Sequence, residues 1–446
     1  MAKPPNRKPK ASAAPVRTET VRAGAAVGTR TAGTGTAGAI VNRRAANRLR
    51  NGHVWVYASD IESIGLPGSA GDPPRLLAVA DDRGLLLGTA LYSPTSQIAL
   101  RLVSREALDE AAWLELLASR LESAIEGRFS RMRDPETNSD SFRLCFSEAD
   151  EIPGLIVDKY NDLVIVQLLT KGLDTAATRE TVVRVLREYV KPAAILERPD
   201  PRMRELEGLS APDTAPLWLS NPGEPRASTI FHLNGLAFHF DADAGQKTGA
   251  FLDQHTNYES AKHWAGLLTP GGRALDVCTY QGGFALHLAQ VSKRVTGIDA
   301  SRSSLEVAER NLLANRDKLV AEVDWVAGDA FEILRDWSDA GEKFDTIVLD
   351  PPAFAKSQRA VEGALRGYKE LNLRSLKMLR AGGLLVTCTC SHHVSWAEFE
   401  GTVASAAADA HRRVRMLERR GAAPDHPVVL NLPETEYLKC LVLEVE

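Results

Sequence analysis

From about residue 240 onward, short β-branched runs alternate with amphipathic stretches. The runs are Arg273–Val277, Arg294–Asp299, Val323–Ala327, Phe344–Asp350 and Leu384–Cys388, with a late one near Leu438–Leu443. No other feature of the chain restricts its fold as tightly. Neighbouring parallel strands need a crossover long enough to hold a helix, so this alternation predicts βαβ units and a doubly wound, Rossmann-like α/β sheet. Ligands of such sheets bind outside the carboxyl ends of the strands. Those ends carry an ordered set of acids: Asp276 in Leu275–Phe284, Asp299 in Gly297–Ser301, Asp329 before Ala330, and Asp350 in Leu349-Asp-Pro-Pro352.

The rest of the chain is organised differently. Residues 1–37 hold seven Lys or Arg against one Glu and have no hydrophobic period, which predicts a disordered basic tail. The remaining residues carry a net charge of −10. Over 38–105, short strands (Val54–Tyr57, Leu76–Ala80, Leu85–Tyr92, Ile98–Val103) separated by Pro67-Gly68, Asp72-Pro-Pro74 and Asp82-Arg-Gly84 suggest a small β-barrel. A central α+β domain is expected over 106–240. It would hold a helix over 106–130, a hairpin turning at Asn161-Asp162, a helix near 175–190 and a strand at Ala193–Glu197, with 199–228 an irregular connection. Residues 241–446 would form the doubly wound domain.

The longest apolar runs fall far short of the roughly 18 residues that cross a bilayer, and no apolar h-region follows the basic start, so a cytoplasmic protein without a membrane partner is expected. The five cysteines are scattered and contain no CxxC pair, which argues for reduced thiols and against a metal site.

The strand-end acids suit a nucleoside. The Gly282-Gly283 pair lets backbone approach a ligand, and an acid 23 residues after Asp276 suits two ribose hydroxyls. A G-x-G-x-x-G loop would bring amides against a pyrophosphate, but here only Gly282-Gly283 is present, with Tyr280 and Phe284 nearby. A phosphate-free, cationic nucleoside is therefore favoured over NAD, and S-adenosyl-L-methionine fits, since carboxylates welcome its sulfonium. The cofactor-binding residues on this reading are Asp276, Tyr280, Gly282, Asp299, Ala300, Asp329, Ala330 and Asp350. Any one of these aspartates alone is more simply read as a helix cap.

The run Leu384–His393, read as following a helix closed by Gly382-Gly383, delivers Cys390 to the same edge as Asp350. Carbon 5 of a pyrimidine is not nucleophilic until something adds at carbon 6, and a thiolate adds there reversibly. Cys390 is the candidate nucleophile, and Asp350 the acid near the ring N3 and amine. Cys388 reads as inert core.

Many of these blocks resemble a known family, the bacterial large-subunit (23S) ribosomal RNA cytosine-5 methyltransferases with an N-terminal PUA domain. The likeness runs from about residue 40 to the C-terminus. It includes Gly52–Tyr57, Tyr92–Gln97, Glu148–Leu155, Gln246–Gln254, Tyr280–Phe284, Asp350–Phe354, Arg366–Lys369, Thr389-Cys-Ser391 and Tyr437–Lys439. The resemblance implies a PUA-like RNA-binding domain at 38–105, a class I methyltransferase domain, and 23S RNA, naked or in an assembling particle, as partner. It also implies that Phe251, Asp253 and Gln254 lie against the cofactor, that Asp299 holds its ribose, that Asp329 reaches its adenine and that Cys390 attacks the base. The oligomeric state stays open, a homodimer included.

Two departures stand out. His255 replaces the family's usual arginine, and the thiol with which other RNA cytosine-5 methylases help release product is missing after Asp350-Pro-Pro352, so water or Asp350 is left to take the C5 proton. Rival readings are N-methylation of a purine by the Asp350-Pro-Pro segment, and a non-catalytic RNA-binding assembly factor. RNA affinity would come from Arg43, Arg44, Arg48 and Arg50, helped by the tail.

Overall fold

A computed structural model describes residues 38–66, 75–132, 138–212, 215–224, 226–242 and 249–446. The basic tail at 1–37, the Pro67-Gly68 and Asp72-Pro-Pro74 turns and the Gln246–Thr248 part of the 246–254 motif lie outside them.

The chain begins with β1 (Gly38–Val41), α1 (Arg43–Arg50), β2 (Trp55–Tyr57), β3 (Ile61–Gly65), β4 (Leu76–Ala80), β5 (Leu86–Tyr92) and β6 (Ile98–Ser104). They form one six-stranded sheet in the order β2-β6-β5-β4-β1-β3. Its core holds Val41, Leu49, Leu77 and Leu100 together with Ala45 and Ala46 of α1. Neither β1, α1 nor β3 was expected from the sequence. Four-residue β1 is too short for a period, and Arg43–Arg50 buries only small residues and one leucine beneath its arginines.

Next come α2 (Glu110–Met132), β7 (Phe142–Phe146), β8 (Leu155–Tyr160), β9 (Leu163–Leu168), α3 (Ala176–Tyr189), β10 (Ala194–Glu197), α4 (Pro201–Glu207) and β11 (Trp218–Leu219), with sheet order β11-β10-β9-β8-β7. Asn161 turns the β8–β9 hairpin at φ 51°, the left-handed geometry that two-residue hairpins need. The 199–228 stretch is less irregular than expected, because Asp200 caps α4 and Gly208 closes it in the left-handed region.

A two-stranded hairpin follows, β12 (Ser228–Leu233) and β13 (Leu236–Asp241). Phe240 stacks on Tyr160 of the central sheet at 4.1 Å between centroids, and the amides of Ala237 and His239 donate to the side chains of Asn315 and Asn311. The hairpin thus pins the central sheet to the C-terminal one.

The last unit comprises α5 (His255–Leu268), β14 (Arg273–Val277), α6 (Gly283–Leu288), β15 (Arg294–Asp299), α7 (Arg302–Ala314), β16 (Glu322–Ala327), α8 (Ala330–Ala340), β17 (Phe344–Leu349), α9 (Val361–Met378), β18 (Leu379–Thr389), α10 (Trp396–Asp409), β19 (Val414–Arg420) and β20 (Lys439–Val445). Seven strands lie in the order β16-β15-β14-β17-β18-β20-β19, parallel except for β20, which runs antiparallel to both neighbours. Two apolar cores, one on each face, bury the central strands on both sides and so explain their near-continuous apolar runs. The strand order reverses beside β14, which places the ligand crevice at the ends of β14, β15 and β17.

Two expectations need correcting. The helix before β18 ends at Met378 rather than at Gly382-Gly383, and residues 379–383 already belong to an irregular start of β18, with Gly382 at φ 76°. The edge strand β19 was not foreseen, because its Arg- and Glu-rich sequence shows no buried face.

Candidate active site

The loop after β14 turns sharply, with Cys278, Tyr280 and Gly282 all at positive φ (63°, 52° and 88°). Two anchors hold the strained Tyr280. Its amide donates to Asp299 Oδ2 at 2.9 Å, and its phenol donates to the Gly249 carbonyl at 2.8 Å. Phe251 packs edge-on against its ring. A cleft opens here between the β14–α6 loop and the hairpin of β12 and β13. Its walls include Phe231, Phe238, Phe251, Tyr280, Phe284 and Asp350.

Gly283 lines the cleft and also meets a packing demand that the sequence did not reveal. A Cβ there would come within 2.5 Å of the Tyr258 ring, so the glycine is required by packing of α5 on α6. Gly282 keeps the role that its φ demands.

The four acids do different things. Asp276 is 1% exposed. Its Oδ2 accepts from Thr279 Oγ1 at 2.5 Å and from the Ala285 amide at 2.9 Å, while its buried Oδ1 has no partner among the described residues. Burial pushes its pKa up to about 7 despite those bonds. Asp299 is half-buried and accepts from the amides of Tyr280 and Ser301, with exposed Ala300 between it and Ser301. Asp329 is exposed and caps α8 through Phe331 and Glu332, ahead of half-buried Ala330. Asp350 is half-buried on the cleft wall, its amide donating to the Val277 carbonyl at 3.2 Å.

Asp253 and Gln254 turn inward from Phe251. Asp253 accepts from the Tyr437 phenol at 2.5 Å, and Gln254 accepts from Asn257 at 2.6 Å. Their neighbour His255 sits buried with Nε2 3.8 Å from Asp425 Oδ1, and burial pulls its pKa down. This strap joins the cleft to the 421–437 segment, whose Asn431 and Glu434 contact Gly52 and His53 in the turn between α1 and β2.

Cys390 follows the end of β18, beside the end of β17 that carries Asp350. Of the five cysteines, Cys145, Cys388 and Cys440 are buried, whereas Cys278 and Cys390 are half-exposed. Burial, then the surrounding Asp299, Asp350, Asp276 and Asp329, hold the Cys278 thiol protonated.

The residues flanking Cys390 belong to a buried hydroxyl cluster that the sequence did not reveal. Thr389 Oγ1 donates to Tyr368 Oη at 2.8 Å, Tyr368 Oη lies 2.9 Å from Ser391 Oγ, and Ser391 Oγ accepts the Ala355 amide at 3.2 Å. Tyr368, Thr389 and Ser391 are all fully buried. The phenol of α9 thereby ties both neighbours of Cys390 to the loop after Asp350. The only signal in the sequence was hydroxyls on either side of a strand-end cysteine.

The unpartnered Asp276 oxygen and a ring of acids at strand ends fit a ligand that brings hydrogen-bond donors and positive charge. Comparison with known proteins gives the same answer. Residues 150–441 match the model of the S-adenosylmethionine-dependent methyltransferases, and residues 39–105 match that of a PUA-like domain. The chain belongs to the S-adenosylmethionine-dependent methyltransferase family. It is 35% identical over 395 residues to the ribosomal RNA large subunit methyltransferase I of Tolumonas auensis, covering 88% of this chain and 95% of that one. The namesake from Pseudoalteromonas translucida is 35% identical over 402 residues, with 89% and 96% covered. A solved structure from Streptococcus mutans described as a SAM-dependent methyltransferase superposes with TM-score 0.74 at 19% identity, over 91% of this methyltransferase and 99% of the other chain, which shows a shared fold.

Asp276 leads to a pH prediction. Its pKa is higher folded (about 7) than unfolded (about 3.9), so its contribution to stability is complete below pH 4 and is lost as pH rises to 7. Thermal unfolding of the ligand-free methyltransferase should show Asp276→Asn gaining on the wild type across that window, by at most about 1.4 kcal/mol per pH unit, then levelling off. A constant difference from pH 4 to 8 would contradict the buried neutral acid.

Proposed function

We propose that this methyltransferase modifies C5 of a cytosine in large-subunit (23S) ribosomal RNA, with Cys390 as nucleophile. The observation that carries the chemistry is the contrast between two half-exposed thiols. Cys278 is locked in its protonated form by burial and acids, whereas Cys390 stands at the end of β18, its neighbours clamped, next to the strand bearing Asp350. The substrate class rests on the names of the relatives and on the PUA-like domain.

In this reading a flipped cytosine lies between Asp350 and Cys390. The thiolate forms the S–C6 bond and the C5=C6 pair localises at C5, with Asp350 near N3 and the exocyclic amine. S-adenosylmethionine supplies the electrophilic methyl group when bound. Loss of the C5 proton to a base then restores the double bond and expels the sulfur. Asp276 would face the cofactor's donor groups, Asp299 its ribose, and Asp329 with Ala330 its adenine, while Phe251 and Tyr280 wall the cleft.

Phosphate contacts in this reading come from exposed Arg43 and Arg44, with Arg48 and Arg50 beside them in ion pairs with Asp60 and Asp81.

Incubation with 5-fluorocytosine-substituted 23S RNA and S-adenosylmethionine should give a covalent complex whose cross-linked peptide contains Cys390, because fluorine blocks the final elimination. Bisulfite mapping of the natural RNA after turnover should show a protected cytosine. Methyl transfer to a purine nitrogen, or turnover without any adduct, would overturn the proposal.

A further inference from the structure

Lys439 opens β20 and pairs with Thr389 in the antiparallel register, which sets it alongside the residue that precedes Cys390. It is only 3% exposed. Its Nζ donates to the Tyr437 carbonyl at 3.3 Å, and among the described residues no carboxylate forms an ion pair with it. A lysine is almost never so buried without an anion, because an unpaired ammonium in a protein interior is expensive.

The charged and titratable groups that face Lys439 are Glu436, Cys390 and Glu398. Both acids are committed elsewhere. Glu398 accepts from the amide and hydroxyl of Ser395 at the start of α10, and Glu436 accepts from Trp396 Nε1 at 2.8 Å. Neither forms an ion pair with Lys439 among the described residues, so both act on it at longer range, and the Cys390 sulfur is the third group that faces it.

We propose that Lys439 is the charge partner of Cys390, a positioned ammonium that favours the thiolate both before attack and when the sulfur departs. This rests on Cys390 being the nucleophile. The ionisation is Cys–SH to Cys–S− with the proton passing to water, and Lys439 stays an ammonium throughout. A lysine beside a cysteine lowers the thiol's pKa and raises the fraction available for addition. Burial draws the lysine's own pKa down, and a neighbouring anion draws it back up, so each group stabilises the charged form of the other. The two half-exposed thiols of the chain thereby receive opposite fields, acids around Cys278 and a cation beside Cys390.

The test is the pH dependence of Cys390 alkylation by iodoacetamide in the full-length methyltransferase, followed by mass spectrometry of the Cys390 peptide, with S-adenosylhomocysteine affinity as the check on folding. Lys439→Met should move the half-reaction pH upward by about one unit or more, an alkylation roughly tenfold slower at neutral pH. Lys439→Arg should keep the profile near that of the wild type, and methyl transfer should follow the same order. Lys439→Gln serves as a second neutral variant if the methionine variant does not fold. An unchanged alkylation profile in a folded neutral variant would overturn the pairing. Because alkylation reads the thiol directly, it separates this pairing from the nucleophile assignment, which instead fails if Cys390→Ala retains turnover.

Discussion

Cys390→Ala should reduce methyl transfer to cytosine by about 10^4-fold or more while leaving the fold and the cofactor site intact. The size follows from the chemistry. Without an adduct at C6 the C5 carbon is a poor nucleophile, and positioning alone does not create a reactive electron pair. The intact cofactor site follows from geometry, since the cleft is walled by residues on β12, β13, the β14–α6 loop and Asp350, and Cys390 is not among them. The thiol is only half-buried, so its truncation should change stability by about 0.5 kcal/mol or less. Single-turnover transfer from labelled cofactor into 23S RNA, with calorimetric binding of S-adenosylhomocysteine, reads both. Undiminished transfer would exclude the thiolate route and favour attack by an amine held near Asp350-Pro351-Pro352. Loss of cofactor binding along with activity would mean that the strand end, rather than the nucleophile, had been damaged.

The elements that could be read in advance were those whose residues answer to a single demand. Arg273–Val277 and Arg294–Asp299 begin and end where their apolar runs do, because a doubly buried parallel strand has no alternative use for such residues. Strand β19 could not be read, since its exposure leaves it polar and its place is set by pairing with β20 across the sheet. The same holds in the site. The order of the strand-end acids was legible, but their division of labour was not. Asp329 caps a helix while Asp276 is buried with its pKa pushed up, a difference produced by depth below the surface rather than by sequence context. Gly283 lines the cleft, and it also answers to the packing of Tyr258, a residue 25 positions away. Tyr368 and Lys439 stood within recognisable blocks, yet their relation to Cys390 depends on α9 and β20 converging on one strand end, which no local pattern encodes.

Tyr368→Phe should lower the rate constant of methyl transfer by about 10- to 100-fold with little change in the KM for RNA or in cofactor affinity. The phenol bonds the hydroxyls of both Thr389 and Ser391 and, through Ser391, reaches the Ala355 amide, alongside the direct bond from the Ser391 amide to Thr389 Oγ1. Removing it leaves the Thr389 and Ser391 hydroxyls buried with one partner fewer, a penalty of about 1–3 kcal/mol if no rearrangement follows. The cheapest relief is for Thr389 and Ser391 to turn toward other partners, and Cys390 lies between them. A displacement of about 1 Å at a reacting atom costs on the order of 100-fold, so the loss should appear in the chemical step. A residue that only supported the fold would lower the melting temperature and leave transfer by the folded fraction unchanged. The rate of adduct formation with 5-fluorocytosine RNA, measured on folded protein, separates the two cases. Ser391→Ala breaks the link to Ala355 and should be partly redundant with the phenylalanine variant. The double variant should therefore lose less than the product of the single losses, because both changes disconnect the same clamp. Independent, multiplicative losses would show that the hydroxyls support the β18 end separately and that the Asp350 loop and Cys390 are not held as one unit.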